Sequence, residues 1–247
     1  MDRSARLVVA ALSLSLSACA PLPRVAFHDG ALLHLVDDVH LDPAAPRADR
    51  ERLVALLGEA KAHLQGTFGR LRGYPVRVIV CATDDCRRFF AGPRMRSMLI
   101  APGDRMPGEH DTRGQLTVVL VDAGERALNH LAHELVHVEL LSRLGPEAAA
   151  RIPAWFHEGV AASLSDEPPC PAALVDDPLV ESLRTPRAWW DRTNEPGQGV
   201  ATYCAARARA EAWGVAHHGK QGLLALLDAV KSGEPFPAAF GAPEPAR

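Results

Sequence analysis

His133-Glu134-Leu135-Val136-His137 is the stretch of this chain whose residue types and spacing can do chemistry. Residues four apart on an α-helix lie on one face, one above the other. Two imidazoles placed that way can reach a single metal ion at about 2.0–2.1 Å, the usual Zn–N distance. Glu134, beside the first of them, can then serve as general base toward an attacking water. This is the pattern that metal-assisted hydrolysis requires. Catalytic zinc takes three protein ligands and keeps one position open, so a further ligand must come from elsewhere in the chain.

The metzincin pattern would need Gly at position 140 and His at position 143; the chain has Leu140 and Arg143, which excludes it. Downstream, opened by Pro153, Trp155-Phe156-His157-Glu158-Gly159-Val160-Ala161 resembles the W-x-x-E-G-x-A segment of gluzincin metallopeptidases. Twenty residues, Val138–His157, separate the second His from this Glu, close to the spacing in that group. The resemblance implies that Glu158 is the third ligand of one catalytic Zn²⁺ held with His133 and His137. His157 is the neighbouring alternative, although a helix turns adjacent side chains about 100° apart, which sets the two against sharing an ion. Gluzincins also supply a Tyr or His from the C-terminal side as oxyanion donor, and Tyr203 is the candidate, one of only two tyrosines. His217 and His218 read as helix-end residues, and His130 as surface.

The resemblance is to the broad peptidase MA-like group. It is specific over Glu125–Ser165 and looser over Thr202–Phe240. Two departures matter. The thermolysin-like Asp four residues after the ligand Glu is Ala162 here, which leaves the partner of the metal-binding imidazoles unassigned. The G-x-M-x-N segment of aminopeptidases is missing, which favours an endopeptidase.

At the start of the chain, Arg3 and Arg6 precede an apolar run from Leu7 to Leu16, too short to span a bilayer and shaped like a secretory signal. Leu16-Ser17-Ala18-Cys19 resembles a bacterial lipobox, which implies a signal peptide over 1–18, cleavage before Cys19 and lipidation of that residue. Ala20 rather than Asp follows, so the expected place is the periplasm-facing outer membrane of the cell envelope, with membrane contact through the lipidated N-terminus. Cys81, Cys86, Cys170 and Cys204 remain, an even number in an oxidising compartment. Three pairings are open, and Cys81–Cys86 with Cys170–Cys204 is the one expected. The net charge of −3 comes with mixed signs and no basic run, so nothing supports a nucleic-acid partner.

These residues need elements to position them. Ala31–Val36, Pro75–Ala82, Gln115–Asp122 and, more weakly, Met95–Ile100 read as strands, with a polar loop at Gly103–Gly114. Asp49–Phe68, with Leu53, Leu56, Leu57, Ala60 and Leu64 on one stripe, reads as a helix. So do Glu125–Leu144, Ala154–Ser165, Thr202–His217 and Lys220–Ser232. The expected fold is α+β: a small mixed sheet packed on a mainly helical zincin-like domain over 31–234. A lipidated tether over 19–30 precedes it, and a fraying Pro/Ala-rich tail, Pro235–Arg247, follows. Gln115–Asp122 or Met95–Ile100 is the candidate edge strand for extended substrate. The expected function is a membrane-anchored zinc peptidase acting on peptides or proteins of the envelope. The alternative is a gluzincin-like lipoprotein that binds metal or a partner without turnover.

Overall fold

The computed structural model describes residues 29–73, 76–90, 97–100, 116–120, 126–165 and 167–241. Signal segment, Cys19, the Pro21–Arg24 tether and the Gly103–Gly114 loop lie outside those residues.

Strands β1 (Leu33–Val36), β2 (Val39–Leu41), β3 (Arg77–Val80), β4 (Ser97–Ile100) and β5 (Thr117–Leu120) form one mixed sheet in the order β1-β2-β3-β5-β4. The β2, β3 and β5 strands run parallel, while β1 and β4 close the two sides antiparallel. Side chains alternate across the pleat. Leu41, Val78, Val80, Val118 and Leu120 face the main core, and Ile79, Val119 and Ile100 face a smaller cluster with Cys81, Cys86 and Phe90. With β5 in the interior, β4 is the member of the expected pair that lies at the sheet's edge. The β2 strand was not expected: three residues are too few for a period-two signal to stand out.

Helix α1 (Arg47–Phe68) buries Leu53, Leu56, Leu57, Ala60 and Leu64, the stripe that its spacing predicts. Helix α2 (Asp84–Phe90) follows β3. Its start is secured by Asp42, whose buried carboxylate accepts from the Ala82 and Thr83 amides and the Thr83 hydroxyl. After α3 (Ala127–Leu144) come α4 (Pro146–Ala149), α5 (Ala154–Leu164), α6 (Pro186–Thr193), α7 (Gly199–Ala216) and α8 (Lys220–Lys231). The expected α+β class stands, with helices predominating. No helix among the described residues is long and apolar enough to cross a membrane.

The expected tail needs correction. Residues Phe236–Phe240 form a further helix, α9, with Phe236 buried and the Phe236 and Phe240 rings stacked at 5.2 Å. Phe156 packs at 5.2 Å on Phe236, and the Trp213 indole donates to the Phe240 carbonyl at 2.9 Å. Burying a Phe contributes about 1.5–3 kcal/mol, which outweighs the fraying that a Pro/Ala-rich composition suggests.

Candidate metal centre

Helix α3 is the centre of the domain. Leu131, Leu135, Val136, Val138 and Leu140 are all buried, so most of its circumference is covered. Gly145 ends it at φ 77°, a backbone angle that favours glycine, and its amide returns to the Leu141 carbonyl. His133 and His137 face α5 with ring centroids 4.9 Å apart.

The α5 helix starts where Pro153 sets the backbone. The exposed donors of its first turn are used at once, as Ala154 and Trp155 donate their amides to the Arg184 and Leu183 carbonyls. Phe156 then points into the aromatic cluster of Trp155, Trp213, Phe236 and Phe240. With Phe156 inward, Glu158 projects toward α3. Its Oε2 lies 3.3 Å from His133 Nε2 and 3.7 Å from His137 Nε2. The ligand atoms of His133, His137 and Glu158 all lie within 4.8 Å of one another. Two imidazoles and a carboxylate converging this closely can hold a metal ion, and they are the three residues expected to do so. His157 is not in that group. Its ring lies 5.9 Å from that of His137 and hydrogen-bonds the Ala149 backbone.

The partner of the His133 imidazole, unassigned from sequence, is Glu167. Its Oε1 lies 3.0 Å from His133 Nδ1, which leaves Nε2 toward Glu158. Ser165 Oγ also donates to Glu167, at 3.3 Å. The thermolysin-like spacing points to position 162, and Ala162 is buried. No sequence signal singles out Glu167, because its approach depends on how the chain turns after α5. His130, expected at the surface, is half-buried.

Electrostatics bind these groups together. Burial alone would lower the His133 pKa, but hydrogen bonds to Glu158 and Glu167, with the fields of Glu158 and Glu134, raise it to about 10. Burial would raise Glu158; the His137 field and the His133 hydrogen bond instead hold it far below the ordinary carboxylate range. Burial, then the neighbouring His137, lower His157 to about 4, so that imidazole is neutral near pH 7. Without metal, a proton on His133 contributes stability that is complete below about pH 6.5 and lost as the pH rises through about 10. A metal ion must displace that proton. Metal affinity is therefore expected to rise with pH across that window, by about tenfold per unit for one proton displaced. Calorimetry in buffers of different ionisation enthalpy counts the released protons; a count of zero would contradict the ion pair.

Glu134 is buried on α3, and its charge acts on both His133 and Tyr203. Tyr203, on α7, places its ring centroid 6.1 Å from that of His133 and 5.0 Å from that of Trp189 on α6. Burial first, then the Glu158 field, push its pKa well up, so it is a neutral phenol with a proton to donate. Both expected disulfides are formed, Cys81–Cys86 and Cys170–Cys204.

The α5 and α7 helices meet through small residues. A Cβ at Gly159 would lie 2.3 Å from the Ala206 carbonyl oxygen, and Ala161, Ala205 and Ala206 are fully buried. Backbone cannot step aside as a side chain can, so Gly159→Ala is expected to cost about 1–3 kcal/mol. Thermal unfolding checks this against Gly214→Ala, whose Cβ would meet nothing within 4 Å and which should be neutral or stabilising.

Comparison with known proteins finds no family model, no curated protein and no solved structure that matches this chain. The functional reading therefore stands on the residues themselves.

Proposed function

We propose that this chain is a zinc-dependent peptidase of the gluzincin type, anchored to the cell envelope through lipid on Cys19. The convergence of His133, His137 and Glu158 carries the reading. A set of two imidazoles and one carboxylate suits zinc and matches the ligand count of catalytic sites, which keep a position open. The Nδ1 bond from His133 to Glu167 adds the partner such imidazoles ordinarily have.

Zinc, when bound, supplies Lewis acidity toward a carbonyl oxygen and makes water a better nucleophile near neutral pH. The chain's own groups do the rest. Glu134 takes a proton from the attacking water and passes it to the leaving amine. Tyr203, kept protonated by its surroundings, donates toward the developing oxyanion. Among the described residues β4 is the outer strand of the sheet, a place where an extended peptide can add, and it packs beside α3. Peptide or protein substrates of the envelope fit such a site.

Zinc content of the mature chain and its hydrolysis of an unstructured protein test the reading. About one zinc per chain with cleavage that a chelator abolishes is the expected result. A chain that binds no zinc after reconstitution would sink it.

A further inference from the structure

Glu167 lies beyond the end of α5, in a stretch without regular structure that runs to a short turn at Ala172–Leu174. Beyond the His133 ring and the Ser165 hydroxyl, which Glu167 meets through its carboxylate, this stretch is tied to α7. Arg207 Nη1 donates to the Glu167 carbonyl at 2.8 Å and the Pro168 carbonyl at 3.1 Å. Arg207 is itself aligned by Glu211, Nε to Oε1 at 2.7 Å. One helical turn away on α7, buried Cys204 is bonded to Cys170, three residues after Glu167. The carboxylate that orients His133 is thus anchored to a different helix by a covalent bond. Cys81–Cys86 sits in the smaller cluster on the other face of the sheet and has no such link.

We propose that Glu167 is the positioning residue of the metal centre, and that the Cys170–Cys204 disulfide holds it on His133 so that the redox state of this pair sets metal retention. The inference rests on the metal reading above. Cys170 is half-buried and Cys204 buried, so attack is expected at Cys170. A thiolate of an external dithiol attacks it, the S–S bond breaks, and Cys204 leaves as a thiolate that takes up a proton. The second thiol of the reagent then displaces Cys170. The protein gains two electrons and two protons, and the dithiol becomes a disulfide. The segment carrying Glu167 then loses its covalent tie to α7 and keeps the Arg207 hydrogen bonds.

The test measures zinc affinity of the full-length chain in detergent by competition with a chromogenic chelator, with circular dichroism confirming the fold of each variant. Glu167→Ala is expected to weaken zinc by about 10–100-fold, and Glu167→Gln, which keeps an acceptor oxygen, to recover part of that. Cys170→Ser/Cys204→Ser should weaken binding in the same direction. Adding Glu167→Ala to it should cost little more, because both changes act through one hydrogen bond. A phosphine reductant, itself oxidised to the phosphine oxide, should weaken the wild type and leave the Ser variant unchanged. Wild-type affinity in Glu167→Ala, an unaffected cysteine variant, or losses that simply multiply would each overturn the proposal while leaving the zinc site standing. A wild type that binds no zinc would remove both.

Discussion

Glu134→Gln is expected to keep its zinc and to lose turnover by about 10²–10⁴-fold. Glutamine has nearly the shape of glutamate, so the buried position on α3 is filled and packing with the core is preserved. What disappears is a carboxylate that can accept a proton. The ligand set of His133, His137 and Glu158 is untouched, so metal content should stay at the wild-type level. The loss should fall on kcat and kcat/KM alike, because the removed interaction operates at the transition state. Steady-state kinetics beside metal analysis makes the comparison. Wild-type turnover in this variant would mean another group removes the proton. Zinc binding without hydrolysis in the wild type would favour the metal-binding alternative.

Removing Glu158 should have the opposite signature. Glu158→Ala is expected to take zinc from about one ion per chain to none under conditions where the wild type is saturated, since the two imidazoles remain without the carboxylate that completes the set. The His133 pKa should also fall, because the leading contributor to its elevation is gone and Glu167 remains as its hydrogen-bond partner. His157→Ala is the paired control. Its ring lies 5.9 Å from His137 and turns away to the Ala149 backbone, so zinc should stay. Metal analysis of the two proteins side by side decides the ligand. Zinc kept in Glu158→Ala and lost in His157→Ala would reverse the assignment.

Some of this was legible before any coordinates. A helix brings positions four apart onto one face, so His133 and His137 could be paired from numbering alone. The stripe of α1 and the alternation of Val76, Val78 and Val80 at β3 follow from the same kind of local periodicity. Other features escaped because no periodic signal marks them. The β2 strand has three residues and α2 has seven. The α6 helix spans eight residues, capped by Thr185 and opened by Pro186, and Trp189 on it packs against Tyr203. Composition was misleading at the C-terminus, where two phenylalanines outweigh the prolines and alanines around them.

Taken alone, the sequence determined what a single helix or strand can present: the paired imidazoles with Glu134 beside them, the apolar stripes, and an even set of four cysteines beyond Cys19. Tertiary structure decided which distant groups meet. Glu158 reaches the imidazoles because Phe156 anchors α5 inward and Gly159 lets α7 close on it. Glu167 reaches His133 because Arg207 and a disulfide draw its segment to α7. β4 rather than β5 lies at the edge because strand order follows from pairing across the sheet. Periodicity governs contacts three or four residues apart; contacts between residues tens of positions apart depend on how whole elements pack, and no local pattern encodes that.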